Sequence, residues 1–265
     1  MPEPVLRVVR GTTIGLQTLG AGRSVRMGQR FEHSANLDVV GPAGRAMVVN
    51  LTRDVSSPCQ VQLDDASHRL ADAAWQPGRP ARLDVSGAGK VCMQTPFTGP
   101  LDPRPAIAAV EPWLSRSWFC SADGQRFGMP ALRRALAGEV DALLGLGAGL
   151  TPAGDDVLVA WIAWQLAVTG EVERFEHLEQ ASLAGTTGPS ASMIACALAG
   201  ETCQPVNTML GALRSNDAAL LQHAVARLAA HGSTSGCDAL FGLHALWTMS
   251  GTVPDQARPA GHEVP

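Results

Sequence analysis

The 265-residue chain has few charged residues, and Lys90 is its single lysine. Charged residues make up 17% of the sequence and the formal net charge is −4, so its composition gives no electrostatic argument for a nucleic-acid partner. No lysine lies near the glycine-rich stretch described below. This absence excludes the phosphate chemistry of a P-loop lysine at that stretch.

Long apolar runs and paired cysteines are also missing. The longest apolar run, residues 157–168, is too short to span a bilayer and predicts a buried helix. The N-terminus lacks the pattern of a signal peptide, so we predict a cytoplasmic protein without a membrane partner. Six cysteines occur without a C-x-x-C pair. This arrangement argues against a structural zinc site and predicts reduced thiols.

Two patterns of hydrophobicity divide the chain. Short segments rich in β-branched residues, separated by Gly, Pro and Asp, predict an antiparallel sheet or barrel over residues 1–100. A proline-rich linker follows, and the apolar period over residues 105–251 is helical. Residues 252–265 are predicted to form a disordered tail. The predicted fold class is α+β, with a β-rich N-terminal part packed on an α-helical C-terminal bundle.

Predicted helices in the second part cover residues 130–146, 152–168, 173–185, 188–201, 205–215, 217–232 and 236–251. Several begin with Pro, Ser or Asp and end at Gly, which is the usual asymmetry of helix starts and ends.

Three loops rich in glycine and hydroxyl residues precede helices of this second part. The first loop lies within "LLGLGAGLTPAGDDVLVAWIAW", residues 143–164, and the second is "GTTGPSAS", residues 185–192. The third, within "HGSTSGCDALFGL" at residues 231–243, aligns with the first as [ST]-x-x-G-x-D-x-L. In this alignment Asp156 matches Asp238 and Gly154 matches Gly236.

Each loop is placed where it could present a helix N-terminus to an anion. The first N–H groups of a helix lack intrahelical partners, and glycines let a ligand approach the backbone closely. Residues predicted to bind such an anion are Gly147, Gly149, Thr151, Gly154, Thr186, Thr187, Ser190, Ser233, Thr234, Ser235, Gly236 and Asp238. The alternative is that these side chains are ordinary N-caps and that the glycines end the preceding helices.

Capping alone does not explain the density of polar groups in the first loop. Asp155 and Asp156 stand together at the start of a helix that is apolar on nearly every face. Buried acids at such a position need a cation, a ligand or other donors. We therefore predict that both residues are catalytic, with Mg²⁺ as the metal they could hold. His231 is a candidate general base, and the default interpretation of Cys237 is a packed thiol.

The segments "GLGAGLTPAGDD", "TTGPSAS" and "HGSTSGCDALFGL" together resemble the AllH-like family, long catalogued as a domain of unknown function. "RFEHSANL" at residues 30–37 is similar to an N-terminal segment of that family, and the likeness covers residues 10 to 250. From this segment, His33 and Asn36 are weighed as pocket residues against a turn or surface role. Ala148 and Ala153 stand where the family pattern has proline and serine.

The resemblance implies a function. The family includes a subunit of oxamate carbamoyltransferase, an enzyme of several subunits in anaerobic allantoin degradation. That enzyme exchanges a carbamoyl group between oxalurate and phosphate, giving oxamate and carbamoyl phosphate. The expected ligand is therefore a small anion such as carbamoyl phosphate or oxamate, and the expected protein partners are the other subunits. Such a reaction depends mainly on positioning and on stabilising an oxyanion.

Two other functions remain open at this point. One is a metal-dependent hydrolase or lyase that uses Asp156 and Asp238 as carboxylates on facing helices. The other is a regulatory or scaffold subunit without catalytic activity, in which the three loops only cap helices.

Overall fold

The structure is a computed structural model that describes residues 3–13, 16–17, 24–30, 34–39, 46–50, 55, 58, 60–67, 69 and 75–249. Strands occupy the N-terminal part of these residues and helices the C-terminal part, which confirms the α+β prediction. The predicted tail and His33 lie outside the described residues. Asn36 lies on a strand whose backbone is described, but its side chain is not.

The strands form one curled sheet. Their bounds are β1 Val5–Thr12, β2 Ser24–Arg30, β3 Ser34–Val39, β4 Ala46–Asn50, β5 Gln60–Leu63, β6 Pro80–Asp84 and β7 Gly89–Val91. The strand order is β5-β4-β3-β2-β6-β1-β7, and β5 pairs with β1 as well as with β4. One face carries an apolar core to which alternating residues of β1, β2, β3, β5 and β6 contribute, for example Leu6 and Val8 of β1.

The sheet is mixed, so the prediction of an antiparallel sheet is wrong. The β1–β6, β1–β7 and β4–β5 pairs are parallel, and the other pairs are antiparallel. Alternation along single strands predicts which face is buried, but it does not show which strands become neighbours. The strands β6 and β7 pair with β1, which is distant in the chain. Both run parallel to β1, and these pairings contribute to the mixed character of the sheet.

The C-terminal part is built from helices of varied length. Their bounds are α1 Arg104–Val110, α2 Met129–Leu136, α3 Ala153–Thr169, α4 Leu178–Gly185, α5 Gly188–Leu198, α6 Gln204–Ser215, α7 Ala218–Ala229 and α8 Ser235–Met249. The helix predicted over residues 130–146 is broken after α2. Gly138 has a φ of 112°, which a right-handed helix cannot adopt, and a short 3₁₀ turn follows at Val140–Leu143.

Helix α3 lies at the centre of this part. It packs against α5, α6 and α8, which explains why it is apolar on nearly every face. The Trp161 indole donates a hydrogen bond of 2.7 Å to the Gly242 carbonyl of α8. A side chain at Gly242 would meet Val157 at 2.6 Å, so glycine is needed for this close approach.

The two parts are joined by packing and by backbone hydrogen bonds. Cys196 of α5 is buried in the core of the sheet, and the Thr202 N–H donates to the Met93 carbonyl at 3.0 Å. In the predicted linker, the Thr98 hydroxyl donates to the Ala167 carbonyl at 2.9 Å. These contacts place the end of the sheet region against α3 and α5.

Four of the cysteines, Cys92, Cys120, Cys203 and Cys237, are free thiols, whereas Cys196 is disulfide-bonded. The expectation of reduced thiols is therefore wrong for Cys196. Within the described ranges, none of the helices has the length and apolar character needed to cross a membrane.

Candidate functional site

The first loop connects the 3₁₀ turn at Val140–Leu143 to α3 through three alternating glycines. Gly145, Gly147 and Gly149 have φ values of 67°, 112° and 105°. Residues with a Cβ rarely adopt this region, so the G-x-G-x-G spacing is explained by the path of the backbone. Gly145 also approaches the second loop, because a Cβ there would lie 2.2 Å from the Gly185 carbonyl oxygen.

Asp155 joins the first loop to the second. Its side chain is buried and accepts a hydrogen bond of 2.8 Å from the Gly145 N–H and a short one from the Thr186 hydroxyl. Burial raises the pKa of this carboxyl, and the hydrogen bonds from Thr186 and Gly145 oppose that rise. With both oxygens engaged by donors of the protein, Asp155 acts as a structural tie between the loops.

Asp156 is in a different situation from its neighbour. The residue is 6% exposed, and its Oδ2 atom is buried without a hydrogen-bond partner in the part of the chain that the structure describes. Burial raises the pKa of Asp156 well above its usual value. The Ser235 hydroxyl opposes this rise, while the negative charges of Asp238 and Asp155 add to it.

The three loops meet through their hydroxyl groups. Thr151 and Ser235 are joined by a hydrogen bond of 2.9 Å between their side-chain oxygens, which links the first loop to the third. The Thr187 hydroxyl donates to the Leu150 carbonyl at 2.5 Å, which links the second loop to the first. The starts of α3, α5 and α8 are thereby brought to one place.

A cavity of about 260 Å³ opens where these helix starts meet. Its polar lining comes from Gln60, Thr151, Asp156, His231 and Ser235. The rest of the lining is apolar or glycine: Pro58, Leu150, Val159, Ala160, Pro189, Met193, Cys203, Val206, Leu228, Gly232, Gly236 and Ala239. The cavity therefore lies between the β5 end of the sheet and the helical part.

Only some of the residues predicted from the sequence line this cavity. Those that do are Thr151, Asp156, His231, Ser235 and Gly236. Those that do not line it are Gly147, Gly149, Gly154, Asp155, Thr186, Thr187, Ser190, Ser233, Thr234 and Asp238. Ser233 and Thr234 are exposed, whereas Ser190 is buried next to Asp155. The sequence does not predict the lining residues of β5, α5 and α6. Their residue types fit the strand or helix in which they lie and give no separate signal of a cavity.

Asp238 of the third loop is hydrogen-bonded to the segment before α2. One of its oxygens accepts hydrogen bonds of 2.7 Å from both the Ser117 hydroxyl and the Trp118 N–H. Its other oxygen, Oδ2, is buried and has no partner among the described residues. Burial raises the pKa of Asp238, and the bonds from Ser117 and Trp118 oppose that rise. Its bonded oxygen thus holds the segment before α2 against α8.

The expectation that the first helical N–H groups are unpaired is wrong at several positions. In α3, the Gly154 N–H donates to Leu146 at 2.8 Å. In α8, the Gly236 N–H donates to the His231 carbonyl at 3.0 Å. In α5, the Ser190 N–H donates to the side-chain oxygen of Thr187. Thr187 is therefore the N-cap of this helix. The loops curl back far enough to satisfy these donors themselves.

His231 and Cys237 have pKa values displaced by burial. Burial lowers the pKa of His231, which favours the neutral imidazole that a general base requires. Burial raises the pKa of Cys237, and its Sγ contacts the Ala229 carbonyl at 3.4 Å, as expected for a packed thiol. Within the described ranges, no group of three or more His, Cys, Asp or Glu side chains could hold a metal ion. Mg²⁺ binding by Asp156 stays a prediction.

The raised pKa of Asp156 predicts a pH-dependent stability difference. The folded state holds this proton more tightly than the unfolded chain, so the free energy of unfolding falls as pH rises from about 3.8 to the raised value. Asp156→Asn removes this titration. The variant should therefore gain stability relative to the wild type as pH rises, by about 1.4 kcal/mol for each unit of pKa shift.

Urea denaturation of both proteins over a series of pH values measures this difference. Asp123→Asn is the matched control, because Asp123 is exposed and makes no capping hydrogen bond. The stability of Asp156→Asn is compared with this control at each pH. A difference from the wild type that does not change with pH would contradict the buried, unpartnered state of Asp156.

The fold and the cavity define the class: an α+β protein in which three glycine-hydroxyl loops enclose a small buried site. Residues 143–247, which contain all three loops, match the family model described as oxamate carbamoyltransferase subunit AllH. This match confirms the AllH-like resemblance over that stretch. Neither a curated protein nor a solved structure matches the chain.

Proposed function

We propose that the chain is a subunit of a carbamoyltransferase-type enzyme of the oxamate carbamoyltransferase kind. The observation that carries this proposal is the family match over the same three loops that converge on the cavity. In a scaffold subunit the loops would serve only as helix caps. That hypothesis does not explain why Asp156, which lines the cavity, has a buried oxygen without a partner among the described residues.

The reaction would exchange a carbamoyl group between oxalurate and phosphate. A phosphate oxygen attacks the ureido carbonyl carbon, the bond from that carbon to the oxamate nitrogen breaks, and this nitrogen takes up a proton. Phosphate gives up a proton when it attacks, so the protons balance. In this proposal His231 accepts the proton of the attacking phosphate and Asp156 hydrogen-bonds the nitrogen end of the substrate.

Cationic groups for the phosphate and the oxamate carboxylate are absent from the lining within the described ranges. We propose that other subunits of the complex supply them, which agrees with the family's description as one subunit of an enzyme. The metal-dependent alternative gains no support from the arrangement of Asp238, because that side chain is held by Ser117 and Trp118.

Purifying the tagged chain from its native host with its bound proteins, and assaying the complex for carbamoyl phosphate formed from oxalurate and phosphate, tests the proposal. We expect activity in the complex and a loss of about 100-fold in kcat on Asp156→Asn, the usual effect of removing an acid–base group. Asp123→Asn should have full activity. An active complex that is indifferent to Asp156→Asn would make this cavity irrelevant to the chemistry.

A further inference from the structure

Asp156, which lines the cavity, carries an unsatisfied hydrogen-bond acceptor. Asp156 is 6% exposed and lines the cavity, and its Oδ2 atom has no hydrogen-bond partner among the described residues. A buried acceptor without a donor costs free energy, about 1–3 kcal/mol and more when it is charged. A ligand that brings a donor to Oδ2 would recover that cost. The free acceptor therefore points to a ligand with N–H or O–H groups.

The charge of the surroundings limits which ligand this can be. Asp155 and Asp238 are buried close enough to Asp156 to make its charged form less favourable. Among the described residues that line the cavity, none is an arginine or a lysine. An anionic group placed beside an ionised Asp156 would thus meet negative charge without a compensating cation from these residues. The described lining alone therefore gives a phosphate or carboxylate no favourable partner beside Asp156.

The apolar walls limit the ligand further. Val159, Met193, Val206 and Leu228 line the cavity, so much of a bound molecule would be desolvated. Removing a full positive charge from water costs far more than removing a neutral amide. The volume of about 260 Å³ is just below the ~300–1,000 Å³ of sites for drug-sized ligands, so the ligand is small.

We propose that the cavity binds a small, uncharged primary amide group whose N–H donates to Asp156 Oδ2. This inference rests on the proposed function, because it assigns the carbamoyl or amide nitrogen of the substrate to this chain and the anionic end to another subunit. The hydroxyls of Thr151 and Ser235, which are joined to each other and line the same cavity, are the groups we assign to the amide carbonyl.

The test uses the full chain alone and four probes. Isobutyramide, isobutyrate and isobutylamine share one carbon skeleton and differ in the polar group, and inorganic phosphate is the fourth probe. Because a ligand that binds only the native state raises its stability, thermal unfolding at increasing concentrations reports the affinity. We expect isobutyramide to bind at least about tenfold more tightly than the other three, which corresponds to about 1.4 kcal/mol.

Stronger binding of isobutylamine would show that Asp156 takes a cation, and binding of isobutyrate or phosphate would show an anion site. Absence of binding by isobutyramide would also overturn the proposal. Two variants locate the site: Asp156→Leu removes the acceptor, and Ala239→Leu fills the cavity while leaving Asp156 intact. Each should weaken amide binding at least tenfold, whereas Asp123→Asn should leave it unchanged.

The inference and the proposed function can fail separately. If the isolated chain binds the amide but the purified complex is inactive, the amide site would be supported and the proposed reaction would be wrong. An active complex whose isolated subunit binds no amide would support the reaction and overturn the assignment of the nitrogen end to this cavity.

Discussion

Replacing Gly236 with alanine is expected to destabilise the protein by about 3 kcal/mol or more, as severe overpacking does. A Cβ at this position would lie 1.7 Å from the Leu228 carbonyl oxygen and 3.1 Å from that of His231. Both atoms belong to the backbone at the end of α7 and the turn after it. They cannot move without disrupting that helix end, so the start of α8 must shift away.

The matched control for this variant is Gly211→Ala. Gly211 lies within α6, and nothing approaches within 4 Å of the place where its Cβ would be. Alanine is a better helix former than glycine, so this variant should gain about 1 kcal/mol. Urea denaturation followed by circular dichroism measures both changes. Equal effects of the two substitutions would show that α7 and α8 do not approach as closely as described.

The same substitution at Gly154 should have a similar effect, because its Cβ would lie 2.0 Å from the Leu143 carbonyl oxygen. The two glycines also share a hydrogen-bond pattern. The Gly154 N–H donates to Leu146, three residues after Leu143, and the Gly236 N–H donates to His231, three residues after Leu228. The first and third loops are thus two copies of one helix connection.

The alignment of "GLTPAGDDVLVAW" with "HGSTSGCDALFGL" predicts this equivalence correctly, but its physical reason was not visible in the sequence. A glycine before a helix is compatible with an anion, with a cap or with a close backbone contact. Only the position of the preceding helix end separates these explanations. In both copies the contact with a carbonyl oxygen accounts for the glycine.

The sequence also could not distinguish the two adjacent aspartates. Asp155 and Asp156 have the same chemistry and the same neighbours in the chain, and both were predicted to be catalytic. Successive residues of a helix point in directions about 100° apart, so one carboxyl meets Gly145 and Thr186 while the other meets the cavity. One partner of Asp155, Thr186, comes from a loop 31 residues away, whose position only the tertiary structure gives.

Helix positions in the second part were predicted well because amphipathic or buried helices carry strong periodic signals and the loops carry glycines. The cavity itself was not predictable in the same way. Gln60 of β5 and Met193 of α5 reach it from elements whose own patterns indicate only strand and helix. The sheet order depends on pairings between distant strands, for which the chain carries no local signal.

Replacing Asp155 with alanine is expected to cost about 3 kcal/mol, whereas Asp156→Ala should not destabilise the protein at neutral pH, because it removes a buried carboxyl whose ionisation is unfavourable in the fold. The first change leaves the partly buried donors of Gly145 and Thr186 without their acceptor and releases the first loop from the second. The second removes a carboxyl whose Oδ2 atom is unsatisfied in the described structure, so little is lost. Urea denaturation of the two variants at neutral pH measures both effects.

Two further variants separate the lost hydrogen bonds from the lost charge. Asp155→Asn keeps one acceptor oxygen, so it should fall between the wild type and Asp155→Ala. Asp141→Ala removes an exposed carboxyl that pairs with His177, and its cost should be no more than about 1 kcal/mol. Equal destabilisation by Asp155→Ala and Asp156→Ala would mean that both carboxyls are structural. In that case Asp156 would not offer a free acceptor to the cavity, and the assignment of the substrate nitrogen to Asp156 would lose its physical basis.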